Sequence, residues 1–456
     1  MTPDTPVPAD IFKAYDIRGL VESEITPDFA FRTGLAFARF LEIEREPGTI
    51  IIGEDMRPSS SLLAEAFSAG ATSNGMDVIR IGLASTDMLY FASGKMNFPG
   101  AMFTASHNPA EYNGIKLCKS GARPIGKESG LLTIEKFVSD GSPIPMRSVG
   151  MESSRNMLVE YIDHLFSLVD LEGIRPLKVV VDAGNGMAGH TAGPVFKRLN
   201  VELVELYFEL DGTFPNHEAN PLDPANVRDL QKAVKRHKAD IGLAFDGDAD
   251  RCFLIDENGD VVNPSALTAL IAQRELIKYP KSKVIYNLIS SRAVAEVVSE
   301  NGGTAIRSRV GHSYIKQLMA ESGAVFGGEH SGHFYFRDFW CADSGMLAAL
   351  HAIAALGSQV KPLSKILKNY QRYFSSGEIN SQVLDAPAIV RKIESTYSQR
   401  PGVEMDHLDG LTVSTENWWF NLRSSNTEPL LRLNVEANTA LRMDRVKNEV
   451  LALIKG

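Results

Sequence analysis

Cysteine is scarce: the 456 residues hold three, Cys118, Cys252 and Cys341, with no C-x-x-C spacing and an odd total. That pattern excludes a disulfide framework or a zinc site of paired cysteines, and predicts buried or half-buried thiols in a reducing compartment. Basic excess is missing too. Against 56 Asp and Glu stand 47 Lys and Arg, a net charge of -9, so nothing offsets a phosphate backbone and no nucleic-acid partner is expected. The longest apolar stretch, Met346 to Leu356, is interrupted by His351 and is too short to span a bilayer. Met1 to Asp10 is acidic and proline-rich, without the basic-then-apolar order of a signal peptide. A cytoplasmic protein with no membrane partner is expected. No G-x-S-x-G elbow occurs, and Asp182 to Gly189, although rich in glycine, lacks the G-x-G-x-x-G spacing; a tight strand-to-helix turn is expected there.

What is present is length and alternation. The chain is too long for one core and sets a prior of roughly three domains. Helical spacing from Pro27 to Glu44 is followed by the strand-like run Thr49 to Ile52. The alternation continues through Leu62–Ser73, Val78–Ile81, Asp87–Met96 and Ala101–Phe103, the signature of an α/β layer. A polar, turn-rich region near Asp140 to Ser154 precedes a second such unit, with strands at Lys178–Val181, Ala239–Phe245 and Cys252–Ile255. A third contains Ala266–Leu276, Lys283–Leu288, Ala293–Glu300, Thr304–Ser308, Tyr314–Glu321 and Met346–Ala355. From about Ser375 the strands alternate more, predicting a smaller α+β domain.

Two stretches carry chemistry. Phe103-Thr104-Ala105-Ser106-His107-Asn108-Pro109 ends an apolar strand and presents a serine hydroxyl at the mouth of a sheet, the proline preventing the ladder from continuing. Asp246, Asp248 and Asp250 follow the apolar run Ile241 to Phe245 and offer hard oxygen ligands that suit Mg²⁺. The same aspartates could open an EF-hand loop, with Glu257 at its twelfth position. Against that, Arg251 occupies the sixth position, where glycine is required, and a strand rather than a helix leads in. A serine hydrolase is disfavoured because strand neighbours point to opposite faces, which separates His107 from Ser106.

With Phe12-Lys13-Ala14-Tyr15-Asp16-Ile17-Arg18-Gly19, Gly328-Glu329-His330-Ser331-Gly332-His333 and Arg423-Ser424-Ser425-Asn426-Thr427-Glu428-Pro429, these motifs resemble the α-D-phosphohexomutases, in particular the phosphomannomutase/phosphoglucomutase group. The segment Gly53-Glu54-Asp55-Met56-Arg57-Pro58-Ser59 resembles the same family's first domain.

The resemblance implies three related mixed α/β domains plus a smaller C-terminal α+β domain around a central active-site cleft. The expected boundaries are 1–152 for the phosphoserine-bearing domain, 153–256 for the metal-binding domain, 257–371 for sugar recognition and 372–456 for phosphate binding. It implies that Ser106 is phosphorylated and contributes to a Mg²⁺ site with Asp246, Asp248 and Asp250, and that a hexose 1,6-bisphosphate forms as intermediate and activator. Lys116 and His312 become acid/base candidates, and Arg18 and Arg251 charge stabilisers. Some relatives carry a basic residue where this chain has Ile289, which leaves the general base open. Tyr15, Glu329, Ser331 and His333 would contact the sugar, and Arg423, Ser425, Asn426 and Thr427 its non-transferring phosphate. Arg337, Asp338 and Asp343 are expected to be ion-paired supporting residues.

The partners expected are small sugar phosphates, with the protein a monomer or homodimer. The GEHSGH loop and Phe336-Arg337-Asp338-Phe339 resemble those of phosphomannomutases, and the substrate order this resemblance implies is mannose phosphate, then glucose phosphate, with glucosamine phosphate poor. Phosphoglucomutase or phosphoglucosamine mutase activity is the alternative. A non-catalytic calcium- or sugar-phosphate-binding protein is the second class, separated from the first by whether Ser106 carries covalent phosphate.

Overall fold

The structure is a computed structural model describing residues 11–140, 148–424 and 430–455. It contains two compact units, Met1–Val262 with Ser331–Ser364, and Asn263–His330 with Lys365–Gly456.

In the first unit a mixed sheet has the strand order Ile17–Leu20, Tyr112–Lys119, Gly100–Phe103, Thr49–Glu54, Asp77–Leu83, Glu152–Ser154. Its centre is parallel, Thr49–Glu54 pairing with both Gly100–Phe103 and Asp77–Leu83. Ile50, Ile51 and Ile52 are fully buried in succession, as expected of a strand covered on both faces. The helices Pro27–Ile43 and Ser60–Ser73 pack against each other through Gly34 and Gly70. A Cβ on either would lie within 2.1 Å of a carbonyl oxygen of the facing helix. Thr26 starts the first helix by accepting the Phe29 N–H at 3.1 Å, with Pro27 just inside, where its missing donor costs nothing.

Tyr112–Lys119 is a strand that the sequence does not mark. Asn113, Gly114 and two lysines are poor strand formers, but the segment fills a slot between two other strands, antiparallel to both, and tertiary pairing overrides propensity. The pairing sets Lys116 opposite Met102, close to the strand end that leads into Ser106.

A second sheet in this unit has the order Cys252–Ile255, Ile241–Phe245, Leu177–Asp182, Val201–Leu206. The glycine-rich stretch after Asp182 is the expected turn into the helix Ala188–Phe196. It also buttresses the acidic loop, since Met187 N–H donates to the Gly247 carbonyl at 2.8 Å.

In the second unit, Thr304–Ser308, Lys283–Asn287 and Phe326–Gly328 run parallel. A separate antiparallel sheet is ordered Phe374–Gln382, Leu430–Ala437, Trp418–Ser424, Leu411–Ser414, Glu404–Asp406. Tyr397, Phe420, Leu433, Val450 and Ile454 share its core with the helices Ala386–Ser398 and Ala440–Lys455, the α+β pattern expected. Among the described residues no helix is long and apolar enough to cross a membrane.

Candidate active site

Gly100–Phe103 and Ile241–Phe245 each end in a loop, and the two loops meet within the first unit. The Ser106 hydroxyl donates to Asp246 Oδ2 at 2.8 Å. Their approach is close at the backbone, where a Cβ on Gly247 would sit 2.3 Å from the Ser106 carbonyl oxygen; only glycine fits.

Ser106 itself adopts φ +49°, the left-handed region that non-glycine residues seldom enter, a local strain of order 1 kcal/mol. Thr104 Oγ1 accepts its N–H at 2.9 Å. This conformation corrects two expectations. Ser106 is buried, 4% exposed, rather than presented to solvent, and strand alternation no longer separates it from His107, whose Nδ1 lies 3.2 Å from Ser106 Oγ. The imidazole is nevertheless a poor base: burial and the charge of Arg251, which also bonds Nδ1, push its pKa well below the ordinary value.

Asp246, Asp248 and Asp250 are all buried, and one oxygen from each lies within 4.8 Å of the others. Arg251 donates from Nε to Asp246 Oδ2 at 2.8 Å and from its terminal nitrogen to Ser106 Oγ at 3.3 Å. Lys116 Nζ donates at 2.6 Å to Asp248 Oδ2 and to Asp250 Oδ2, and Thr86 Oγ1 donates to Asp248 Oδ2 at 2.6 Å. Burial and the neighbouring carboxylates raise Asp246 to about 7, although Arg251 opposes this. Asp248 moves the other way, because the charge and hydrogen bond of Lys116 overcome the burial penalty. Burial favours a neutral Lys116, but Asp248 and Asp250 outweigh it and keep the amine protonated well above its usual range.

Two buried oxygens, Asp248 Oδ1 and Asp250 Oδ1, have no hydrogen-bond donor. Buried carboxylate oxygens without donors are costly, and this trio has the hard-donor chemistry that fits a divalent cation such as Mg²⁺.

Other expected residues fall around this centre. Arg18 donates to Asn108 Oδ1 at 2.6 Å and pairs with Asp16, and Tyr15 is half-buried on the same segment. His333 Nδ1 is 2.8 Å from Asp343 Oδ2 and 3.8 Å from Asp250 Oδ1. Ser331, half-buried, precedes it, and Arg251 and His333 face each other across an antiparallel bridge. Arg337 pairs with Asp338 at 3.1 Å, so the supporting residues are ion-paired as expected.

In the second unit Glu329 is buried and accepts from Asn287 Nδ2 at 3.5 Å. Arg423 is held by Glu378 at 3.2 Å and Asp409 at 3.8 Å. It stands opposite Arg432 in the sheet, and Glu378 also pairs with that residue at 3.4 Å, offsetting two facing like charges. Ser425, Asn426 and Thr427 lie outside the described residues. His312 begins the helix His312–Ser322; its side chain is outside the description.

Thr86 and Asn108 were missed as site residues. Asn108 stands inside a recognised motif and could have been read there, whereas Thr86 carries no local signal and reaches Asp248 only through the fold.

A serine hydroxyl fixed between an aspartate trio and an arginine, on α/β layers, is the class of site suited to metal-assisted phosphoryl transfer. Models of phosphoglucomutase/phosphomannomutase domains match in order: α/β/α domain I over residues 9–143, domain II over 159–259, domain III over 263–373 and the C-terminal domain over 378–453. A phosphomannomutase of Vibrio cholerae is 40% identical, covering 97% of this chain and 98% of its own length. A Xanthomonas campestris protein described as phosphohexose mutases is 41% identical, covering 98% of this chain and 99% of its own. The crystal structure of a phosphoglucomutase/phosphomannomutase family protein from Burkholderia thailandensis superposes with TM-score 0.89 at 31% identity, covering 98% of this chain and 97% of that one. The chain belongs to the phosphoglucomutase/phosphomannomutase family, with its four-domain architecture, and is an enzyme of the phosphohexomutase class.

Proposed function

We propose that the protein interconverts mannose 6-phosphate and mannose 1-phosphate, and glucose phosphates less well, through a phosphoserine at Ser106 and a hexose 1,6-bisphosphate intermediate. The observation carrying this reading is Ser106 Oγ, 2.8 Å from Asp246 and 3.3 Å from Arg251: a nucleophile set among prospective ligands and a fixed cation. In this reading the phosphorylated hydroxyl reacts by exchange of one P–O bond for another. The bond from phosphorus to Ser106 Oγ breaks as one to the free sugar hydroxyl forms, and the hydroxyl proton passes to a base. After the bisphosphate turns over, its other phosphoryl group returns to Ser106.

Asp246, Asp248, Asp250 and the phosphate on Ser106 would hold Mg²⁺, which when bound supplies neutralisation of charge on the transferred group. Arg251, which does not deprotonate, stabilises the leaving serine oxygen, and Arg18 adds positive charge beside the loop through Asn108. Lys116, which Asp248 and Asp250 keep protonated in the resting site, and His312 are the two acid/base candidates.

Tyr15, Glu329, Ser331 and His333 are assigned to the sugar, and Arg423, Ser425, Asn426 and Thr427 to the non-transferring phosphate. The domain boundaries in this reading fall after residues 152, 256 and 371. The relatives named for mannose and the GEHSGH loop support mannose over glucosamine. Side-by-side kcat/KM for mannose, glucose and glucosamine phosphates tests this: mannose should lead, and a markedly higher value for glucosamine would reverse the assignment.

A further inference from the structure

The Asp55-Met56-Arg57 stretch follows the strand Thr49–Glu54, next in the sheet to the strand that ends at the serine loop. Arg57 is 2% exposed. Its guanidinium lies beneath residues 106–112. One terminal nitrogen donates to the carbonyls of Pro109 at 2.7 Å and Tyr112 at 2.9 Å, the other to those of Ser106 at 3.0 Å and Asn108 at 2.7 Å. Four terminal N–H groups thus meet four carbonyls. Nε faces Asp55 Oδ2 at 3.3 Å, and Asp55 Oδ1 is in turn fixed by Ser60 Oγ at 2.6 Å and by Arg57 N–H at 3.0 Å.

A loop that leaves its ladder and turns through a left-handed serine points several carbonyl dipoles the same way, away from water. Such an arrangement persists only where donors of matching geometry are supplied. Arginine's planar fork provides them; a lysine ammonium offers three donors from one point and cannot reach four oxygens. The Ser106 carbonyl is therefore held on one side by Arg57 and limited on the other by Gly247, which sets where Oγ stands relative to Asp246.

We propose that Arg57 is the positioning residue of the phosphoserine loop, holding the Ser106 backbone in the conformation from which the phosphoryl group is transferred. The proposal rests on the assignment of Ser106 as phosphoryl carrier, but adds to it a residue that meets neither sugar nor phosphate.

The test compares wild type, Arg57→Lys and Arg57→Met for thermal midpoint, for kcat and KM with mannose 1-phosphate, and for the rate at which glucose 1,6-bisphosphate phosphorylates Ser106, followed by intact mass. A displaced nucleophile should lower kcat and the phosphorylation rate by about 100-fold in Arg57→Met, with KM changed less than about threefold. Arg57→Lys should recover part of the loss, because it restores the charge but not the fork. Hydrogen exchange in the full-length variants should rise within residues 104–112 and not in the neighbouring strand Thr49–Glu54. Lysine or methionine variants that turn over like wild type would overturn the proposal while leaving the phosphoserine assignment intact. Unfolding of both variants would overturn it too, because the guanidinium would then support the domain rather than the loop. Failure of wild type to accept phosphate at Ser106 would instead remove the assignment on which the proposal rests.

Discussion

Lys116 Nζ lies 2.6 Å from Asp248 Oδ2, although 132 residues separate them in sequence. The contact brings the serine-bearing sheet and the acidic loop into one electrostatic unit, with the lysine occupying one side of a carboxylate whose other oxygen has no donor. Removing that carboxylate's charge should be felt first in metal affinity. Asp248→Asn is expected to weaken the Mg²⁺ requirement curve by roughly tenfold or more, because a hard cation loses one charged oxygen ligand. Titration of activity with Mg²⁺ checks this, and an unchanged midpoint would show that the loop does not hold the metal.

Asp87 gives a prediction for stability against pH. It is fully buried, accepts hydrogen bonds from Ser344 at 2.6 Å, Tyr161 at 2.7 Å and Ser85, and burial raises its pKa to about 6 despite those donors. Between the ordinary value of 3.8 and about 6 the folded state binds more protons than the unfolded one. The contribution is complete below 3.8 and is lost as pH rises through about 6, a change of order 3 kcal/mol. Compared with Asp87→Asn, wild type should therefore lose stability between pH 4 and pH 7, as read from paired denaturation midpoints; a difference independent of pH would contradict the buried, protonated form.

Glu436 ties together the second unit's sheet and helix. It is buried and accepts the Trp419 indole N–H at 2.8 Å and the backbone N–H of Arg292 at 3.1 Å, at the start of the helix Arg292–Glu300. Glu436→Ala leaves two buried donors unpaired and should destabilise this unit by about 2–4 kcal/mol. Glu436→Gln should cost less. Tryptophan fluorescence during denaturation reports on it directly, since the indole is one of the partners.

Arg423→Ala should raise KM and also lower kcat, because energy from binding the remote phosphate is used to orient the reacting end. Phosphorylation of Ser106 should remain detectable. Kinetics equal to wild type would leave the C-terminal phosphate assignment without support.

How much of this could be read beforehand varies with how local the determinants are. Ser106 and the three aspartates were legible because each motif carries its chemistry in adjacent residues, and Cys252–Ile255 and Thr304–Ser308 match their observed strands because apolar runs between polar turns mark buried strands. Tyr112–Lys119 was not, since its strand character comes from two neighbouring strands rather than from its Asn, Gly and Lys residues. The strand Phe374–Gln382 runs through Ser375-Ser376-Gly377, residues that carry no strand signal of their own. A bulge between Ser375 and Glu378 absorbs that stretch within the pairing, as bulges do. The contact between His107 and Ser106 was hidden for a different reason. Alternation of faces holds only for extended backbone, and a single left-handed φ at Ser106 abolishes it.

Ser106 as carrier of the phosphoryl group is tested most directly by intact mass with peptide mapping after incubation with glucose 1,6-bisphosphate and Mg²⁺. Wild type should gain one covalent phosphate, mapped to the peptide containing Ser106, and lose it on addition of excess mannose 1-phosphate. Ser106→Ala, folded with a similar thermal midpoint, should gain none and lose nearly all turnover, because alanine offers no oxygen to carry the phosphoryl group. Phosphate mapped to a different residue, or turnover preserved in Ser106→Ala, would contradict that role.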